Sequence, residues 1–124
     1  MKHLSTGSPF EVTMGYSRAV VKGGWCFVSG VTGYDYATMR MPPDITAQGR
    51  ACFATIDRVL EEAGFAMADV VRVQYTVVDA GLVDTLVPVL GAALGDIRPA
   101  ATLVIAGLMR PEMLIEIEVT AFKG

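Results

Sequence analysis

Glu116 and Glu118 are the residues in this chain whose type and spacing most invite chemistry. They stand two apart in a β-type run, Leu114–Phe122, where Ile115, Ile117, Val119 and Ala121 alternate with Glu116, Glu118, Thr120 and Phe122. Successive side chains on a strand point to opposite faces, so the run carries one apolar face and one acidic face. Two carboxylates side by side disfavour each other's ionisation unless something uses or neutralises them. A carboxyl group buried beside an apolar rim has its pKa raised, which suits it to general acid–base work. The bland alternative for Glu116 is an exposed strand carboxylate, and at this stage both readings stand.

The other reactive residue types form no constellation. His3 is alone near a terminus. Cys26 and Cys52 fall on an expected strand and an expected helix, where they read as small buried apolar residues rather than a disulfide. No Cys, His and Asp cluster has metal-ligand spacing. The glycines at Gly23-Gly24 and Gly30–Gly33 do not form the strand-to-helix pattern that cradles phosphate. Neither metal nor cofactor is expected.

Several elements must position these groups. Ala19–Lys22 and Trp25–Ser29 flank Gly23-Gly24, a hairpin signal, and Val31 to Pro43 reads as loop. Asp44 can cap a helix over about 45–63, whose apolar residues Ile45, Cys52, Phe53, Ile56, Val59, Leu60 and Ala63 recur at helical spacing before Gly64 ends it. Val70–Val78 alternates as a strand. A weaker helix spans about Val83 to Leu94. Pro88 lies near its start, where proline costs least, and a start before Asp84 would let Pro88 kink it. Strands over Thr102–Leu108 and Leu114–Phe122, joined through a loop containing Pro111, complete the order β-β-α-β-α-β-β. That order predicts an α+β domain, a mixed sheet with two helices packed on one face.

At 124 residues the chain is expected to form one domain spanning 1–124. Hydrophobic residues make up 52% and charged residues 19%, below the usual quarter or so, which leaves apolar surface for a subunit interface. A net charge of −3 without a basic cluster disfavours nucleic acid as partner. The N-terminus lacks a signal-peptide core and no run approaches the length of a membrane span, so a soluble, cytoplasmic protein without a membrane partner is expected.

Arg98–Thr102 (RPAAT), the PEML loop at Pro111–Leu114 and IEIEVTA at Ile115–Ala121 together resemble the C-terminal signature of the RidA (YjgF-type) reactive-intermediate deaminase family. Tyr16, the Ser29-Gly30 turn, the helix start near Gln48, the EEAG end at Glu61–Gly64 and the run Asp69–Asp79 extend the likeness over nearly the whole chain. The resemblance implies a chorismate-mutase-like sandwich, a homotrimer, and a small-molecule ligand in clefts between subunits. It also implies cofactor-free hydrolysis of enamines and imines to 2-oxo acids and ammonia. Glu116 matches the glutamate that holds the attacking water. Tyr16 matches a cleft tyrosine, Ser29 and Gly30 the backbone near the ligand, and Thr102 a residue offering its hydroxyl or N–H.

The chain departs from the pattern at its substrate handle. Where the family has Pro-Ala-Arg before Ser or Thr, this sequence has Pro99-Ala100-Ala101-Thr102, with Ala101 at the arginine position. Leu103 stands where the family has Cys or a small residue, and Val87 where it has an asparagine. Losing a charge-assisted bidentate contact to a carboxylate costs about 1.5–3 kcal/mol, on the order of tenfold to a hundredfold in binding. Arg98 reads as structural rather than as a substitute clamp, and Arg110 is a weaker candidate. The leading expectation is a family member of an arginine-lacking subgroup, binding a small metabolite with altered or absent deaminase activity. The alternatives are an active deaminase using Glu116 with another substrate clamp, and an RNA-cleaving (endoribonuclease L-PSP-like) or translation-inhibiting protein. A structural or chaperone-like trimer is a fourth.

Overall fold

The last run forms its strand as the alternation requires. In the computed structural model, which describes residues 1–124, Ile115–Phe122 is β6. Ile115, Ile117, Val119 and Ala121 are buried, while Glu118 and Phe122 are exposed. Five other strands share its sheet: β1 (Lys2–Leu4), β2 (Ala19–Lys22), β3 (Trp25–Thr32), β4 (Val70–Val77) and β5 (Ala100–Ile105). Their order is β1-β2-β3-β6-β4-β5, antiparallel throughout except for the parallel pair β4 and β5. Two helices, α2 (Ile45–Glu62) and α3 (Val83–Leu94), bury their apolar sides in the same core as the inward residues of β3, β4 and β6. The expected α+β architecture is present.

Local chemistry explains the helix ends. Asp44 accepts from the Ala47 N–H at 2.8 Å and starts α2; Gly64, at φ 86°, turns the chain after it. α3 begins at Val83, so Pro88 falls beyond the first turn and leaves the Asp84 carbonyl without its helical donor. Both residues are exposed, and water can take the vacated place.

The structure adds two elements and shifts two strands. A short strand, β1, and a six-residue helix, α1 (Pro9–Met14), occupy a region without expected elements. Ser8 caps α1, Pro9 opens it and Gly15 closes it at φ 74°. β3 runs on to Thr32 instead of stopping at Ser29, and β5 spans Ala100–Ile105 rather than Thr102–Leu108. Between Val28 and Val31 the β3–β6 register slips: Val28 faces Val119 and Val31 faces Ile117. Three steps on β3 thus match two on β6, a β-bulge at Ser29-Gly30. Because of it Val31, not Gly30, is the next residue sent into the core after Cys26 and Val28.

Gln48, only 1% exposed on α2, pins the two loops above the sheet. Its amide donates to the Pro42 carbonyl at 2.8 Å and the Glu112 carbonyl at 3.0 Å, and accepts from the Leu114 N–H at 2.9 Å. Gly33 must be glycine for this: a Cβ there would lie 2.8 Å from the Gln48 Cα. Tyr34 adds a hydrogen bond to the Glu112 carboxylate. Gln48→Ala strands three backbone groups, each worth about 1–3 kcal/mol when left unpaired, so it should lose about 3 kcal/mol or more in urea unfolding. A loss under about 1 kcal/mol would show that water replaces the amide without penalty.

Candidate functional site

The bulge at Ser29-Gly30 lies beside the start of β6, and there Gly30 approaches Glu116 so closely that a side chain would have to displace the carboxylate. A Cβ on Gly30 would lie 2.5 Å from the Glu116 Cδ. Tyr16, delivered by the left-handed turn at Gly15 that ends α1, borders the same space. Leu108, Met109 and Met113, from the loop that Gln48 anchors, line it together with Met14 of α1. The result is an open cleft of about 360 Å³. Tyr16, Ser29, Gly30 and Glu116, picked from widely separated parts of the sequence, converge on it.

Its electrostatics centre on Glu116. Burial raises the Glu116 pKa above the ordinary carboxylate value, the neighbouring Glu118 raises it further, and the Arg18 guanidinium opposes both without cancelling them. Burial raises the Tyr16 pKa as well, above the ordinary phenol value. No Lys or Arg is among the lining residues. Ser29 donates its hydroxyl proton to the Ser17 carbonyl at 2.6 Å, which leaves only its oxygen lone pairs for the cleft.

Arg18 is the residue that sequence reasoning missed. It is fully buried, and its recorded partners are all neutral. Nη1 donates to the Gly30 carbonyl at 2.7 Å, Nη2 to the Tyr16 hydroxyl at 3.5 Å and Nε to Thr6 Oγ1 at 3.4 Å. The guanidinium also sits 4.6 Å from the Tyr36 ring centroid, within cation–π range. Arg18 therefore braces the cleft wall from behind. A lone arginine between Ser17 and Ala19 carries no pattern that announces this.

The remaining sequence-selected residues lie elsewhere in the chain. Ala101, Thr102 and Leu103 are on β5, separated from β6 by β4. The Thr102 hydroxyl accepts from Arg72 at 3.1 Å; Ala101 lines a different cavity with Val73, Tyr75, Leu94 and Arg98. Val87 is exposed on α3. The Arg98 backbone N–H donates to the Leu94 carbonyl, closing the end of α3 at φ 53°, and the Arg110 guanidinium lies 5.6 Å from the Phe10 ring centroid.

A mixed six-stranded sheet backed by two helices, with a glutamate cleft beside a strand bulge, defines the class: an α+β, chorismate-mutase-like fold of the YjgF type. The family model described as Endoribonuclease L-PSP matches residues 6–123, and the chain belongs to this RidA/YjgF/L-PSP family. The crystal structure of Rv2704 from Mycobacterium tuberculosis, a member of the YjgF/YER057c/UK114 family, is 37% identical and superposes with a TM-score of 0.89 over 98% of each chain. RidA from the Antarctic bacterium Psychrobacter sp. PAMC 21119 is 28% identical, with a TM-score of 0.89 over 99% of this chain and 100% of its own. The RutC family protein PH0854 of Pyrococcus horikoshii is 30% identical over 109 residues, 87% of this chain and 86% of its own length.

Burial of Glu116 has a sign that unfolding can read. A carboxyl whose folded pKa exceeds its unfolded value loses stability as pH rises through that window, because ionisation is harder in the folded state. Glu116→Gln should therefore raise Tm at neutral pH, with the gain shrinking as pH falls from the raised folded pKa towards the ordinary carboxylate value and gone below it. A lower Tm for the variant at neutral pH would contradict the account. Gly30→Ala should displace the Glu116 carboxylate and return its titration, followed by carboxyl ¹³C NMR, towards the ordinary value. An unchanged titration in a folded variant would mean that contact with Gly30 does not hold Glu116 in its buried position.

Proposed function

We propose that the chain is one RidA-family domain, 1–124, that binds a small metabolite in clefts completed between the subunits of a homotrimer. Its enamine/imine deaminase activity is altered or absent because Ala101 stands in place of the carboxylate-binding arginine. The observation that carries this reading is the division of the site. Tyr16, Ser29, Gly30 and Glu116 share a cleft in one subunit, whereas Ala101, Thr102 and Leu103 lie on a strand exposed along its whole length. A neighbouring subunit that presents its own β5 would bring the two halves together. The exposed Trp25, Phe27, Val71 and Phe122 supply apolar area for such an association. The aromatic members pack on one another, with Trp25 and Phe122 centroids 4.5 Å apart.

The second reading, a working deaminase using Glu116 with another clamp, is favoured by one observation: the carboxyl is half-buried and its pKa is raised towards the range useful for proton transfer. The endoribonuclease wording of the family model finds less support, since a cleft lined by no Lys or Arg offers nothing to a phosphate backbone.

Release of 2-oxo acid from freshly generated amino-acid imines separates the first two. Under the leading proposal wild type is silent or at least about tenfold slower than Ala101→Arg, the loss expected for one bidentate contact. Robust wild-type turnover that disappears in Glu116→Ala would instead establish the second reading. Sedimentation of the wild type as a monomer at micromolar concentration would remove the intersubunit cleft altogether.

A further inference from the structure

We infer that the cleft selects a small ligand with a protonated nitrogen on a short apolar chain and no carboxylate: an amine or imine rather than an imino acid. This rests on the proposed cleft function and names its ligand class. Three features of the cleft point the same way.

The first is charge. Glu116 is the only lining residue that ionises to a charge near neutral pH. Within this chain's own lining, an anionic ligand would meet it with no cation to offset the repulsion. On the neighbouring β5 half, the place where a carboxylate would be gripped is Ala101. A protonated nitrogen has the opposite fate, because a desolvated carboxylate facing apolar walls is short of a counter-charge.

The second is the position of Arg18. It is the one cation whose field reaches both Glu116 and Tyr16, yet it is fully buried behind Gly30 and Tyr16. Its guanidinium donates to the Gly30 carbonyl and lies against the Tyr36 ring, so it presents no N–H to a ligand. It moderates Glu116 without acting as a clamp for a carboxylate. The third feature is the wall. Met14, Met109 and Met113 line the same cleft as Glu116 with three flexible, polarisable thioethers, suited to short alkyl chains of varied shape.

Binding should also be linked to protons. The groups that act on Glu116 are Glu118 on the same strand and Arg18 behind the wall, while Cys52 on α2 feels its charge. Thr76, its register partner on β4, and Thr32 on β3 are neutral. Burial leaves Glu116 harder to ionise than an ordinary carboxyl, and a bound cation reverses that. Affinity for an amine should therefore fall as pH drops through the Glu116 titration.

Methionine-methyl NMR of the full chain tests this, since three cleft methionines are built-in reporters. The probes are isobutylammonium, isobutyrate and isobutanol, matched in size and differing in charge. The expected result is cleft methyl shifts that saturate with isobutylammonium, at least about tenfold tighter than with isobutyrate, and weakened on the order of tenfold in Glu116→Gln. Isobutyrate binding as tightly as the amine would overturn the ligand class and leave the cleft as a binding site. Amine binding undiminished in Glu116→Gln would overturn the role of the carboxylate. Silence from all three probes would defeat both this inference and the proposed cleft.

Discussion

One inserted residue governs this molecule's functional region. The bulge at Ser29-Gly30 breaks the regular ladder between β3 and β6, and the freed Gly30 carbonyl accepts a hydrogen bond from Arg18. An unbulged strand would put Gly30 in the inward row and Val31 outside. Instead Val31 enters the core, and Gly30 lies against the carboxylate of Glu116. Bulges near sites commonly re-aim side chains in this way. Here the bulge also removes a side chain where any Cβ would collide with the acid.

Burying a guanidinium with no carboxylate in contact costs several kcal/mol, and the fold offsets this in pieces. Stacking on Tyr36 contributes up to about 2 kcal/mol when desolvated. The short bond to Gly30 is charge-assisted, and two further donors meet Tyr16 and Thr6. Glu11 shares the load from a distance: burial raises its pKa, but hydrogen bonds from Ser5 and Thr6, with the field of Arg18, lower it overall. Glu11 therefore stays ionised, with Thr6 linking it to Arg18 through the same hydroxyl. The N-terminal segment, which carries β1 and α1, is thus tied to the cleft by polar contacts rather than by apolar burial alone.

These polar contacts mark where sequence reading fails. The helix over 45–62 and the strand ending at Phe122 follow from apolar periodicity and capping, which depend only on near neighbours. Glu116 was legible because it alternates cleanly with buried isoleucines. β3 was cut short because a bulge destroys that alternation, and β5 was misplaced because all six of its residues are exposed. α1 did leave a trace, Ser8-Pro9-Phe10-Glu11, which matches a capping-box start. But its Glu11 turns to Thr6 rather than back to Ser8, and six residues give no periodicity to read. Arg18 left no trace, since its role depends on Tyr16, Gly30 and Tyr36, which only the fold brings together. Local pattern finds elements, and the site was built from what lies between them.

Likeness of fold reaches further than likeness of chemistry. A TM-score of 0.89 to relatives at 37% and 28% identity fixes the scaffold, yet a scaffold hosts whatever its cleft residues permit. In this chain Glu116 is half-buried in a cleft lined by no cation, and under the proposed function the position that would grip an acid is Ala101. Under that reading the two positions cannot be weighed separately, because an arginine and a glutamate in one cleft balance each other's charge. Within this chain's own cleft, an ionised Glu116 has only Arg18 to oppose it, from behind a wall of tyrosine and glycine. Burial and the neighbouring Glu118 outweigh that cation, so the Glu116 pKa stays raised. A neutral cleft can accommodate an acid or an amine with similar ease; one carrying an uncompensated carboxylate cannot. On the proposed reading, Ala101 therefore does more than weaken a contact: it changes the sign of the charge the site is suited to accept.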